Sequence, residues 1–171
     1  ANGGSVPMIN LIGRTLNVTG TIRSGSQNRA GKINIQADNL VSINGADISA
    51  NGSDGGEVTI TSWYGTVSVI NSYIQTNGGE GRGGAISVAG LQSTILSGST
   101  LEATGKNQGG TILVGNDAKN GTLPFSLYTE INAATNIKAI QLDNQNQNGG
   151  FIETSAAVVD IAPTVDVTTA A

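Results

Sequence analysis

A glycine-anchored apolar strand returns along this chain at a nearly constant interval. It reads Gly3-Gly4-Ser5-Val6-Pro7-Met8, Ala30-Gly31-Lys32-Ile33-Asn34-Ile35, Gly55-Gly56-Glu57-Val58-Thr59-Ile60, Gly83-Gly84-Ala85-Ile86-Ser87-Val88 and Gly109-Gly110-Thr111-Ile112-Leu113-Val114. A weaker copy stands at Gly149-Gly150-Phe151-Ile152. The second glycines are 27, 25, 28, 26 and then 40 residues apart. Self-similarity at such a period marks a stacked repeat, in which no single unit can bury its own apolar face.

A second marker keeps the same phase: an apolar residue, two or three small polar ones, then Gly. It appears as Ile22-Arg23-Ser24-Gly25, Ile48-Ser49-Ala50-Asn51-Gly52, Ile74-Gln75-Thr76-Asn77-Gly78 and Leu101-Glu102-Ala103-Thr104-Gly105. Its apolar positions lie 26, 26 and 27 residues apart. Between the two markers falls an apolar pair: Leu16/Val18, Val41/Ile43 and Val67/Val69, with Ile95 holding the place in the fourth repeat. Within a stretch the apolar residues alternate, so Val58 and Ile60 share one face and Thr59 takes the other.

Three short strands in each repeat of about 26 residues is the arithmetic of a parallel β-helix. Each strand pairs with its equivalents above and below at a spacing of ~4.8 Å. Inward Val and Ile then form columns, and the chirality of parallel crossovers makes the coil right-handed. The expected fold is therefore all-β: one right-handed parallel β-helix domain over residues 1–171, with about six turns of roughly 26 residues. Its height by that strand spacing is ~30 Å. Regular turns occupy 1–115, an irregular turn 116–149 and a last turn 150–171. The interval of 40 residues from Gly110 to Gly150 calls for extra loops. The polar stretches 116–124 and 143–148 are expected to carry them, and 129–136 to form a short helical turn. Val159/Ile161 and Val165/Val167 continue the pattern, with Pro163 between them.

Composition agrees. The chain has 25 Gly, 12% charged and 4% aromatic residues. Gly, Asn, Ser and Thr disfavour helix, while Val and Ile suit strands. High Gly with low charge also raises a disordered reading, against which the ordered recurrence of apolar residues argues. Gly pairs suit corners that need a positive φ or a close backbone approach. Asn51-Gly52 and Asn77-Gly78 suit corners because Asn tolerates the left-handed region. The glycine run from Gly78 to Gly84 lacks the Lys and Ser/Thr of a phosphate loop.

Several function classes are set aside by composition. With neither Cys nor His, disulfides, thiolate nucleophiles and the usual zinc sites are absent. A net charge of −4 without a basic stripe argues against nucleic-acid binding. No apolar run approaches bilayer length, so membrane insertion is not expected. No cofactor is implied. The opening Ala1-Asn2-Gly3-Gly4 shows no signal peptide, which suggests a mature or excised piece.

The Gly-Gly-x-Ile/Val-x-Ile/Val strand and the Ile-x-Ala/Thr-x-Gly turn resemble the haemagglutinin-type repeats of filamentous haemagglutinin-like adhesins, exported by two-partner secretion. The resemblance covers residues 1–115. An Asn-Pro-Asn-Gly-type motif of that family's secretion domain does not occur, so the resemblance implies part of the repetitive shaft. It implies a secreted or cell-surface β-helical rod, non-catalytic, used in adhesion or biofilm matrix. The partners it implies are a host or matrix glycan or a surface protein.

Each candidate site also has a plain structural explanation. β-helix enzymes acting on polysaccharides need clustered carboxylates, and the best constellation here is Asp54, Glu57 and Glu80 with Arg82 at one corner. A solvated corner is the better explanation of these residues, which leaves a carbohydrate-active β-helix enzyme or carbohydrate-binding domain as the alternative reading. Asn144-x-Asn146-x-Asn148-Gly149 mimics a calcium loop, but only Asp143 is charged there. Trp63-Tyr64 is the only adjacent aromatic pair; it lies in a link, where an exposed ring can stack on a sugar or anchor a protein contact. Trp63, Tyr64 and Tyr128 are therefore the candidate ligand contacts, while Tyr73 should point outward beside Ile74. The outward residues Asn34, Thr59 and Ser87 change type at each turn, unlike a regular Thr ladder. An open β-helix exposes unpaired strand edges at its ends, so the chain is expected either to continue into further repeats or to stack end to end with copies of itself.

Overall fold

The computed structural model describes residues 6–116, 121–143, 149–162 and 164–166. Alternating residues and a glycine at each return make every described repeat one turn of a parallel β-solenoid. Turn one is a continuously paired strand, β1 (Met8–Arg23), followed by a small hairpin of β2 (Gly25–Ser26) and β3 (Arg29–Ala30). Turn two is β4 (Lys32–Ser49). The later turns break into three strands each. These are β5 (Glu57–Ser62), β6 (Thr66–Ile70) and β7 (Tyr73–Gln75), then β8 (Ala85–Gly90), β9 (Ser93–Ser97) and β10 (Thr100–Glu102). The fifth turn is β11 (Thr111–Val114), β12 (Tyr128–Ile131) and β13 (Asn136–Lys138). The sixth is β14 (Phe151–Thr154), β15 (Val158–Ile161) and β16 (Thr164–Asp166). Six turns of about 26 residues thus stack through parallel ladders.

Stacking in register turns the alternation into columns. On the first face Ile9, Ile33, Val58, Ile86, Ile112 and Ile152 are successive partners. On the third face Ile22, Ile48, Ile74, Leu101 and Ile137 are. Interior members of these columns are fully buried, each contributing ~1.5–3 kcal/mol of apolar burial. The outward column Asn34, Thr59, Ser87 is in register as expected, and Tyr73 does face outward beside buried Ile74.

The corners differ from one another. Between the second and third faces one residue in each of the first four turns takes a positive φ: Gly20 (78°), Gly45 (63°), Asn71 (46°) and Gly98 (59°). The Gly-Gly corner shows no such φ; close approach is its reason. A Cβ on Gly56, Gly84 or Gly110 would overlap the carbonyl oxygen of the equivalent glycine one turn below. Asn51 and Asn77 also avoid the left-handed region, contrary to expectation. Their side chains instead bridge turns: the Asn77 amide donates to Asn51 Oδ1 at 2.7 Å and the Thr104 amide to Asn77 Oδ1 at 2.9 Å.

The fifth turn is irregular where the interval predicts. Its first link runs over 115–127, against 91–92 in the turn before. Its last link spans 139–150. Residues 117–120 and 144–148 of the expected loops lie outside the described residues, as do Pro163 and Val167. The helical turn expected over 129–136 is not formed. Thr129 and Ile131 belong to β12 and Asn136 to β13. Between them Asn132 closes a tight bend, its backbone oxygen accepting from the Thr135 amide at 3.0 Å. Ile95 does not hold the inward place in turn four either. It faces outward, and Thr94 and Leu96 are the buried partners of Val67 and Val69. The inserted link explains the polar substitution. Ser126, at the end of that link, enters the interior; its Oγ lies 2.8 Å from Thr94 Oγ1 and donates to the Gly90 carbonyl at 2.8 Å. The Gly90 amide in turn donates to Thr94 Oγ1 at 2.9 Å.

Candidate functional site

The three candidate aromatics share one edge of the solenoid, the corner between the first and second faces. Trp63 and Tyr64 form the link between β5 and β6, their amides donating to the Ala37 and Asp38 carbonyls of the turn below at 3.0 and 2.8 Å. These bonds fix the backbone of the pair and leave the rings at the corner. Trp63 is half-buried, and Tyr64 is 68% exposed. Leu91 of turn four stacks on this link, its amide donating to the Ser62 carbonyl at 3.0 Å, and Leu127 follows on Leu91 at 2.9 Å. Tyr128 opens β12 directly after Leu127. Two turns therefore separate Tyr128 from Trp63 and Tyr64, or ~10 Å along the axis at ordinary strand spacing. The insertion adds Phe125 (41% exposed) and Leu127 (52%) to the same edge. The Tyr128 phenol sits 3.4 Å from Glu130 Oε2. Its pKa is raised by partial burial first, then by the charges of Glu130 and Asp160.

The carboxylates at the opposite corner do not converge. Asp54 Oδ1 accepts from the Arg82 backbone amide at 2.9 Å, Glu57 pairs with Lys32 at 2.7 Å and Glu80 with Lys106 at 2.8 Å. Each is held by its own partner, so no pair faces a shared space in the manner of an acid and a base. Among the described residues no group of three or more metal-binding side chains gathers. The Asn144–Asn148 stretch lies outside the described residues. Tyr73 has a structural partner, its hydroxyl donating to Glu102 Oε2 at 2.5 Å. Burial and that hydrogen bond push its pKa up to about 12.

One feature of the third face was not anticipated. Links two to five stack on each other through the bridges Gly52–Gly78, Gly78–Gly105 and Gly105–Gln141. The first link does not join them. It folds on itself as the β2–β3 hairpin and leaves a groove of about 980 Å³ between itself and the stacked links. The sequence carries a faint signal for this. Where turns two and three place Asn51 and Asn77, turn one has Gly25, so the asparagine ladder has no first rung. The chain matches no known family model, no curated protein and no solved structure.

Proposed function

We propose that this chain is a non-catalytic rod segment of a secreted or cell-surface β-helical adhesin or matrix fibre. In that role it extends end to end and meets its partners through its edges. The observation that carries this reading is the stack itself: successive turns pair in parallel register, and inward Ile and Val columns run through them. Each turn offers its neighbour a ladder of the same shape, so a further turn, of the same chain or of a second copy, fits on the stack. The Trp63, Tyr64 and Tyr128 edge supplies rigid amphipathic contact area of the kind used for glycans or protein surfaces. The carboxylates, each held by its own partner and none facing another, favour this reading over a polysaccharide-cleaving one.

Light scattering and electron microscopy across a concentration series test the end-to-end part. The expected result is growth in steps of one chain mass at constant rod diameter. A chain that stays monomeric at every concentration overturns it.

A further inference from the structure

The groove beside the first link has a chemistry distinct from the aromatic edge. Its floor is the outward side of the third face, with Arg23, Asp47, Ser49 and Gln75. Gln27 and Asn28 at the hairpin tip form one wall, and the links carrying Asn51 and Asn77 form the other. Its volume of about 980 Å³ is at the top of the range of small-molecule sites, ~300–1,000 Å³.

No aromatic or branched apolar side chain lines it. Five carboxamides line it, those of Gln27, Asn28, Asn51, Gln75 and Asn77. Asn51 and Asn77 are largely engaged in the rungs between turns, so Gln27, Asn28 and the Gln75 amide nitrogen, with serine hydroxyls, supply the donors and acceptors. That pattern matches adjacent hydroxyl groups, which both give and accept hydrogen bonds. The charges are already compensated. Arg23 pairs with Asp47 at 3.0 Å, and Glu80 at the rim pairs with Lys106 at 2.8 Å. No free cationic cluster is left to attract a polyanion.

We propose that this groove binds a neutral, hydroxyl-rich oligosaccharide. The proposal does not depend on end-to-end assembly and is read on dispersed protein. The carboxamides fix the sugar hydroxyls, and the hairpin forms the outer lip. The side chains of the floor are held in place: Gln75 Oε1 accepts from Asn51 Nδ2 at 3.1 Å, and Asn77 Nδ2 donates to Glu102 Oε1 at 3.0 Å. Such preorganisation lowers the cost of binding.

Titration calorimetry of the whole chain with cellohexaose, maltohexaose, mannohexaose and trigalacturonate tests it. At least one neutral hexasaccharide should bind with 1:1 stoichiometry, and more tightly than trigalacturonate. Ser49→Arg, which fills the floor, should weaken that binding by about tenfold or more. The double variant Gln27→Ala/Asn28→Ala, on the exposed hairpin tip, tests the lip without disturbing the stack and should weaken it as well. Thr59→Ala on the first face should bind as the parent does. Three silent hexasaccharides, tighter binding of trigalacturonate, or parental affinity in both groove variants each overturn the proposal.

Discussion

A single added methyl group should separate close packing from ordinary glycine flexibility. Gly84 sits at the corner where successive turns touch. A Cβ there would overlap the Gly56 carbonyl oxygen and approach the Gly55 carbonyl carbon and the Gly56 nitrogen. All of these are backbone, so no side chain can swing aside. Relief requires turn four to move off turn three, straining the bonds from the Ala85 amide to the Gly56 carbonyl at 2.9 Å and from the Gly84 amide to the Thr76 carbonyl at 2.7 Å. Overpacking costs ~1–3 kcal/mol, and each weakened bond ~0.5–1.5 kcal/mol. Gly84→Ala should therefore destabilise by about 2–6 kcal/mol, a large share of a typical domain's ~5–15 kcal/mol. Gly79, in the same link, is the control. A Cβ there meets nothing nearer than the Gly52 carbonyl at 3.6 Å, and its φ is not in the left-handed range. Gly79→Ala should be neutral or stabilise by up to ~1 kcal/mol through the unfolded chain. Urea unfolding followed by circular dichroism reads both. A Gly84→Ala midpoint equal to the parent's, or equal losses in the two variants, refutes the argument.

Thr94→Val keeps the shape of a buried side chain but leaves the Gly90 amide and the Ser126 hydroxyl short of a partner. It should cost ~1–3 kcal/mol in urea unfolding, and an unchanged midpoint would show that the network carries no stability. Tyr73 gives a pH signature. Its phenol ionises near 10.0 when free and at about 12 in the fold, so the folded chain favours the neutral form. The resulting stability is whole below the free value and is lost as pH rises towards the folded one. Tyr73→Phe should flatten the alkaline loss of stability in that window; an identical alkaline profile would refute the assignment.

The repeat was legible because stacking requires it. Inward Val and Ile recur since each column must be filled at every turn, and the Gly pairs recur since the corner excludes a Cβ. What sequence reasoning missed were positions where one polar group replaces another kind of contact. Ile95 looked like the inward member of its strand because it is the more apolar neighbour of Thr94. Only the arrival of Ser126, 32 residues later, makes a buried threonine acceptable there. Asn51 and Asn77 looked like left-handed corner residues, yet their backbones are ordinary and their side chains form rungs between turns. Spacing reveals periodic burial; it does not reveal which atom a polar side chain meets one turn away. For Trp63, Tyr64 and Tyr128 the sequence indicated a link and an irregular turn, but not their common edge, which depends on how the insertion rejoins the stack through Leu91 and Leu127.

The two breaks in periodicity are also where polar and apolar side chains stay open to solvent. Regular positions are accounted for by the columns, corners and ladders they build. The hairpin tip builds none of these, and the inserted link rejoins them at its end through Ser126 and Leu127. Residues 25–29 are exposed, and Tyr64, Phe125 and Leu127 keep large apolar surfaces in water on one edge. Apolar surface left exposed and grouped contributes nothing to folding and is characteristic of contact sites. A solenoid makes such departures inexpensive, because each turn contacts only its neighbours and a loop leaving the stack disturbs no distant packing. Stability and recognition should then separate by position. Changes in the columns should lower the unfolding midpoint, whereas changes at the groove or the aromatic edge should leave it in place and alter only the binding proposed for them.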